Sequence, residues 1–152
     1  MYQSFTFYHN LLRWLVLASL LVAIYKAYKG YVTKSLFIKS DTAIRSWAAA
    51  IANIQLIAGI GLYIQSPLIK YFMSNFTTAI KNFDVTFFAV VHSVLMLIAI
   101  SLISFGAARS KRKQTDREKF KTMLVWFVVA LAIIVITVPW PFSPFANRPY
   151  FR

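Results

Sequence analysis

Four stretches of this chain are apolar over a length that can cross a bilayer, and the charged residues gather between them. They lie at about residues 5–28, 42–64, 85–108 and 116–138. Crossing the hydrocarbon core takes about 20 residues of helix, and each stretch supplies that. The pattern predicts an all-α membrane protein, a single transmembrane domain over residues 1–152. Short loops make it an antiparallel bundle of four transmembrane helices in up-down-up-down order. Between the second and third stretches, Ile69, Phe72, Met73, Phe76 and Ile80 recur at helical spacing, with Lys70, Ser74, Asn75 and Lys81 elsewhere. About four turns are too few to span a membrane. Residues 67–80 therefore read as an amphipathic helix lying at the interface.

Local signals mark the helix ends. Asp41 can accept the free N–H groups of the second helix's first turn, and Asp84 those of the third. Ser66-Pro67 places an N-cap serine before a proline at the first helical position. Thr115 and Glu118 fit a capping box ahead of the fourth helix, and Pro139-Trp140-Pro141 stops it. The second helix is rich in small residues, including Ala48, Ala52, Ala58, Gly59 and Gly61, which let helices approach closely in lipid. Asn53 and Gln55 are its strongly polar mid-span residues and are expected to hydrogen-bond across helices.

Composition agrees with the pattern: 59% of the 152 residues are hydrophobic and only 14% are charged, against about a quarter in an ordinary soluble domain. The net charge of +13 could point to nucleic acid, but its location argues for topology instead. Of 17 Lys and Arg, residues 26–45 hold five and residues 109–121 hold seven. The positive-inside rule makes these two loops cytoplasmic. Both termini and residues 65–83 are then outside, which is periplasmic for a bacterial inner-membrane protein. Residues 1–10 contain no Lys or Arg, so the first stretch lacks the basic n-region of a signal peptide and reads as a retained span. Tyr2, Phe5, Phe7, Tyr8 and Trp14 form an aromatic belt at the outer interface. The basic loops are expected to touch anionic membrane lipid. No cysteine is present, which excludes thiolate metal sites, Fe–S clusters, covalently attached haem and cysteine nucleophiles.

Candidate chemistry concentrates in the outer half. His9 and Arg13 stand four residues apart, on one helix face. Ionisable groups at membrane depth usually face the bundle interior and have a role there. The second histidine, His92, lies inside the third span, with Met96 one turn further along the same face. Counting back from the cytoplasmic ends, His92 is the deeper of the two by roughly 5 Å, and Arg13 reaches nearly the same depth. His9, Asn10, Arg13, His92 and Asn53 are candidates for one cluster. Three readings compete. His9 and His92, or His92 and Met96, could ligate the iron of a haem b, with Arg13 pairing a propionate. The cluster could instead hold a quinone or a lipid head group. In the third reading the polar residues only pack and hydrogen-bond, and the protein is an accessory or assembly subunit bound to other membrane protein subunits.

The ordered set of His9, Arg13 and Trp14, then Ile54 to Tyr63 with Ser66-Pro67, then His92 to Ile100, then Pro139-Trp140-Pro141-Phe142 with Arg148-Pro149, resembles a family of small bacterial four-helix membrane proteins commonly labelled cytochrome b. The resemblance covers nearly the whole chain. It implies histidine ligands to haem, with His9 and His92 at the matching positions. Two departures stand out. Asn53 replaces a histidine that relatives often carry, and Val91 replaces an acidic residue before the third-helix histidine. A haem-free member serving as a subunit is the reading those departures favour.

Overall fold

The computed structural model describes residues 2–143. Met1 and residues 144–152, which include Arg148, Pro149 and Arg152, lie outside the described residues. The chain forms α1 (Tyr2–Thr33), α2 (Lys39–Gln65), α3 (Pro67–Ser74), α4 (Phe76–Ala79), α5 (Phe83–Thr86), a π-helical turn (Phe87–His92), α6 (Ser93–Lys111) and α7 (Asp116–Thr137). The segment Phe83–Lys111 runs continuously, so four helices are long and apolar enough to cross a membrane. The protein is an all-α bundle built on these four. Each long helix packs on its chain neighbour, and α1 also packs on α7. That closes a ring in the order α1, α2, α6, α7, with α1 and α6 across one diagonal. The described ends of the chain and residues 66–82 share one end of the bundle. Loops 34–38 and 112–115 share the other.

The core is a narrow seam. Buried positions fall at Val16, Leu20, Ala23, Ala27 and Gly30 on α1, and at Ala48, Ala52 and Gln55 on α2. They fall at Ala99, Ile103, Gly106 and Ser110 on α6, and at Phe120, Met123, Phe127, Ala130, Ile134 and Thr137 on α7. Alternating steps of three and four give the seam of a left-handed bundle. Large residues meet small ones across it. A Cβ on Gly30 would lie 2.6 Å from Phe120 Cε1, and one on Gly106 would lie 2.8 Å from Trp126 Cγ. The opposite faces are also apolar but open, with Ile57 69% and Phe105 64% exposed, as a lipid-facing surface requires.

Several local expectations change in detail. Asp41 sits inside the first turn of α2, where its carboxylate accepts the Ile38 backbone N–H at 3.1 Å. It satisfies the chain just before the helix rather than capping as the first residue. Asn82, not Asp84, caps α5: its side-chain oxygen accepts the Val85 N–H at 3.3 Å. Ser66 does cap α3, accepting the Ile69 N–H at 3.4 Å ahead of Pro67. The amphipathic stretch is two helices, because Asn75 leaves helical geometry at φ −130°, ψ 42°. Thr115 accepts the Glu118 N–H at 3.3 Å while its hydroxyl donates to the Glu118 carboxylate at 2.9 Å. Glu118 thus reaches the threonine hydroxyl, not its backbone N–H. α1 ends at Thr33, and Lys34 after it has a φ of 54° that lets Ser35 N–H reach back to the Gly30 carbonyl at 3.1 Å, a Schellman closure.

Arg45 was grouped above with the topology-setting loop cations, yet it lies in α2 and is buried. Its Nη1 donates to Ser110 Oγ at 3.2 Å, and that hydroxyl donates to the Lys119 carbonyl at 2.9 Å. Its guanidinium lies 5.2 Å from the Phe37 ring centroid, and Phe37 in turn packs on Phe120 at 4.7 Å. One polar path thus joins α2, α6 and α7 at the basic end.

Candidate functional site

His9 lies on α1 where α2 presents Gln55 and Gly59. Gln55 Nε2 donates to the His9 backbone carbonyl at 2.9 Å and lies 3.4 Å from His9 Nε2. The imidazole rests over Gly59, where an added Cβ would come within 3.2 Å of His9 Cε1. Glycine therefore makes the room for this ring. His9 Nδ1 and Gln55 Oε1 are both buried and have no hydrogen-bond partner among the described residues.

His92 closes the π-helical turn. A π turn inserts one residue into a helix, and such turns are frequent at functional sites. It also frees carbonyl groups: the Ala89 carbonyl accepts the hydroxyls of Tyr63 and Ser93, each at 2.9 Å. His92 Nδ1 lies 3.2 Å from the Thr137 carbonyl. That carbonyl belongs to the last turn of α7, where no further helical N–H reaches it. A carbonyl can only accept, so the bond fixes the proton on Nδ1 and leaves the Nε2 lone pair free. The Phe87 and Phe88 rings each lie 6.1 Å from the imidazole.

Arg13 lies 5.7 Å and 5.8 Å from the ring centroids of Trp14 and Trp140. It is within electrostatic reach of both imidazoles, and His9 is within reach of His92. So His9, Arg13 and His92 occupy one region, with the two histidines on the diagonal helices. Asn53 does not join them. It donates to Ser104 Oγ on α6 at 2.9 Å and to the Ala49 carbonyl at 2.8 Å, the cross-helix role expected of it. Met96 is partly buried against the apolar core.

Comparison with family models, curated proteins and solved structures finds no match to this chain. The site is therefore read from its own chemistry. Among the described residues no three His, Cys, Asp or Glu side chains come together, so a metal held here would rest on the histidine pair. The donor set suits a haem iron: neutral imidazole is a common ligand, and a ligating histidine usually donates its other N–H to a carbonyl. The Nδ1 bond of His92 has that form; at His9 the Gln55 amide N–H faces Nε2, so that imidazole could ligate through Nε2 only if Gln55 turned away. Two pockets form elsewhere, one against Tyr63 and Ile69, the other against Lys113 and Trp126. Neither pocket is lined by His9, Arg13 or His92.

The roles of Gln55 and Thr137 were only half legible. Gln55 stood out as a polar residue in an apolar span. Thr137 acts through its backbone carbonyl, which carries no residue-specific signal, and nothing in Phe87-Phe88-Ala89-Val90-Val91-His92 distinguishes a π turn from an α turn.

Proposed function

We propose that the protein is a b-type cytochrome-like subunit of a bacterial inner membrane, carrying electrons near the periplasmic face through a haem held by His9 and His92. One observation carries this reading. The two imidazoles stand on diagonally opposed helices within electrostatic reach of each other, and the Thr137 carbonyl leaves the Nε2 lone pair of His92 free. When bound, such a group supplies one-electron transfer at a potential set by its axial ligands and surroundings. The chain's own residues have distinct tasks. The Thr137 carbonyl holds His92 Nδ1–H and aims Nε2. Gln55 ties the His9 backbone to α2. Arg13 offers a positive charge for a propionate, and Phe87 and Phe88 keep water from the His92 ring. The outward placement follows from the twelve basic residues gathered at the opposite end of the bundle, in the two loops and the helix ends beside them.

A second reading has its own support. The Gln55 and Thr137 contacts are also what packing histidines make, so an accessory subunit without haem fits the same bonds. Absorption spectra of the purified protein separate the two. The haem reading expects a Soret band and a reduced-minus-oxidised α band, both lost in His9→Ala and in His92→Ala. Colourless protein from haem-supplied cells sinks that reading, and pigment surviving both substitutions sinks the ligand assignment.

A further inference from the structure

The basic end of the bundle has a pocket of its own, apart from the histidines. A pocket of about 270 Å³ lies where α6 hands over to α7, lined by Lys113, Glu118, Lys121, Thr122, Val125 and Trp126. The Arg109 guanidinium lies 5.8 Å from the Trp126 ring centroid. Arg109 and Lys121 are exposed and Lys113 is half-buried. Among the described residues the ion pairs are Lys26–Asp41 and Lys119–Asp116, so none of these three cations is in one. Of the nearby acids, Asp116 pairs with Lys119, while Glu118 lines the pocket itself, held by the Thr115 hydroxyl and within electrostatic reach of Lys113 and Lys121, so the three cations outnumber its one negative charge. The other basic loop differs, since Lys26 pairs with Asp41 and Arg45 is buried on Ser110.

We infer that this pocket binds the phosphodiester head group of an anionic glycerophospholipid. The site is polar at one end and apolar at the other, as a lipid's head and chains are. Lys113, Lys121 and Arg109 face a negative charge with a positive one, and Thr122 adds a hydroxyl donor. Val125 continues the pocket toward the lipid-facing surface, and Val129, one turn further, shares its face; they are 52% and 48% exposed. Trp126 supplies an indole of the kind that anchors at membrane interfaces. Its position is fixed by α6, because Gly106 leaves only enough room for it. A free phosphate would gain nothing from the apolar end.

The test is native mass spectrometry of the full chain in detergent, titrated with phosphatidylglycerol or with phosphatidylcholine of the same acyl chains. The wild type should retain one phosphatidylglycerol in clear preference. Removing a charge near the surface should weaken retention about fivefold, so Lys113→Gln with Lys121→Gln should weaken it about 25-fold. Lys29→Gln with Lys39→Gln removes the same charge from the other loop and should leave retention unchanged. Equal losses in the two double variants would show diffuse attraction and overturn the site. Displacement of the lipid by millimolar inorganic phosphate would overturn the assignment to a lipid.

Discussion

Gly106→Ala and Gly61→Ala are the same chemical change on two transmembrane helices, and the structure gives them opposite signs. Both glycines are helical and neither has positive φ, so neither substitution meets a backbone penalty. Each gains the usual helical advantage of alanine over glycine, about 0.5–1 kcal/mol. At Gly61 the new methyl would sit 3.6 Å from Phe5 Cε1, an ordinary contact, and Phe5 is partly exposed and able to adjust. The expected result is a gain of about 0.5 kcal/mol or a neutral outcome. At Gly106 the methyl would overlap Trp126 Cβ and lie 2.8 Å from Cγ, where relaxed carbon contacts are about 3.5–4.0 Å. Rotating the indole relieves nothing, because Cβ is fixed to the backbone of α7. Relief requires α6 and α7 to separate, at the most extensive helix pair of the bundle. Overpacking of this kind costs about 1–3 kcal/mol. Net of the alanine gain, Gly106→Ala should destabilise by about 1–2 kcal/mol, a factor of about 5–30 in the folded ratio. Equilibrium unfolding in mixed micelles of rising denaturing-detergent fraction measures both. Equal stability of the two variants, or a more stable Gly106→Ala, would refute the close-packing argument at α6–α7.

The same unfolding assay addresses two further points. Asp41→Ala should cost about 1–2 kcal/mol, because the Ile38 N–H loses its acceptor at the start of α2, whereas Lys26→Met should cost under about 0.5 kcal/mol, its 3.8 Å pair being partly solvated. The reverse ranking would mean that the ion pair dominates. Tyr63→Phe and Ser93→Ala should each cost about 1 kcal/mol or less, but together more than their sum, since both hydroxyls serve the Ala89 carbonyl. Strict additivity would remove that carbonyl from the account.

Fold class was legible because lipid imposes it: long apolar runs must be helices, and their number and order define the bundle. Which face of each helix is buried was not. In a soluble helix the polar side reveals the apolar one, but here Ile57 faces outward and Ala52 inward, and both are apolar. Size carries the information that polarity cannot, and only the alanine- and glycine-rich α2 showed it openly. Arg45 was misplaced for a related reason. A cation near a span's end serves topology whether it points to water or, as here, back into the bundle. The candidate site was legible as a set of costly residues, His9, Arg13 and His92, placed at similar depth. Its partners were not, because Thr137 acts through its backbone and the turn at His92 leaves no mark on residue type.

That turn has a consequence for how this helix tolerates changes in length. A π turn is an α helix carrying one residue in excess, and each residue rotates a helix by about 100°. The wide turn absorbs that residue, so Ser93 to Lys111 keep the facing they would have in a helix without it. Deleting one position between Phe87 and His92 would therefore restore a regular α helix with its two halves still in register, and the seam at Ile103, Gly106 and Ser110 would stay where it is. The loss would be local, at the carbonyl that Ala89 presents to the Tyr63 hydroxyl and at the approach to His92. Forcing the turn into α geometry with every residue kept would be the larger event, because it would turn the halves against each other by about 100°.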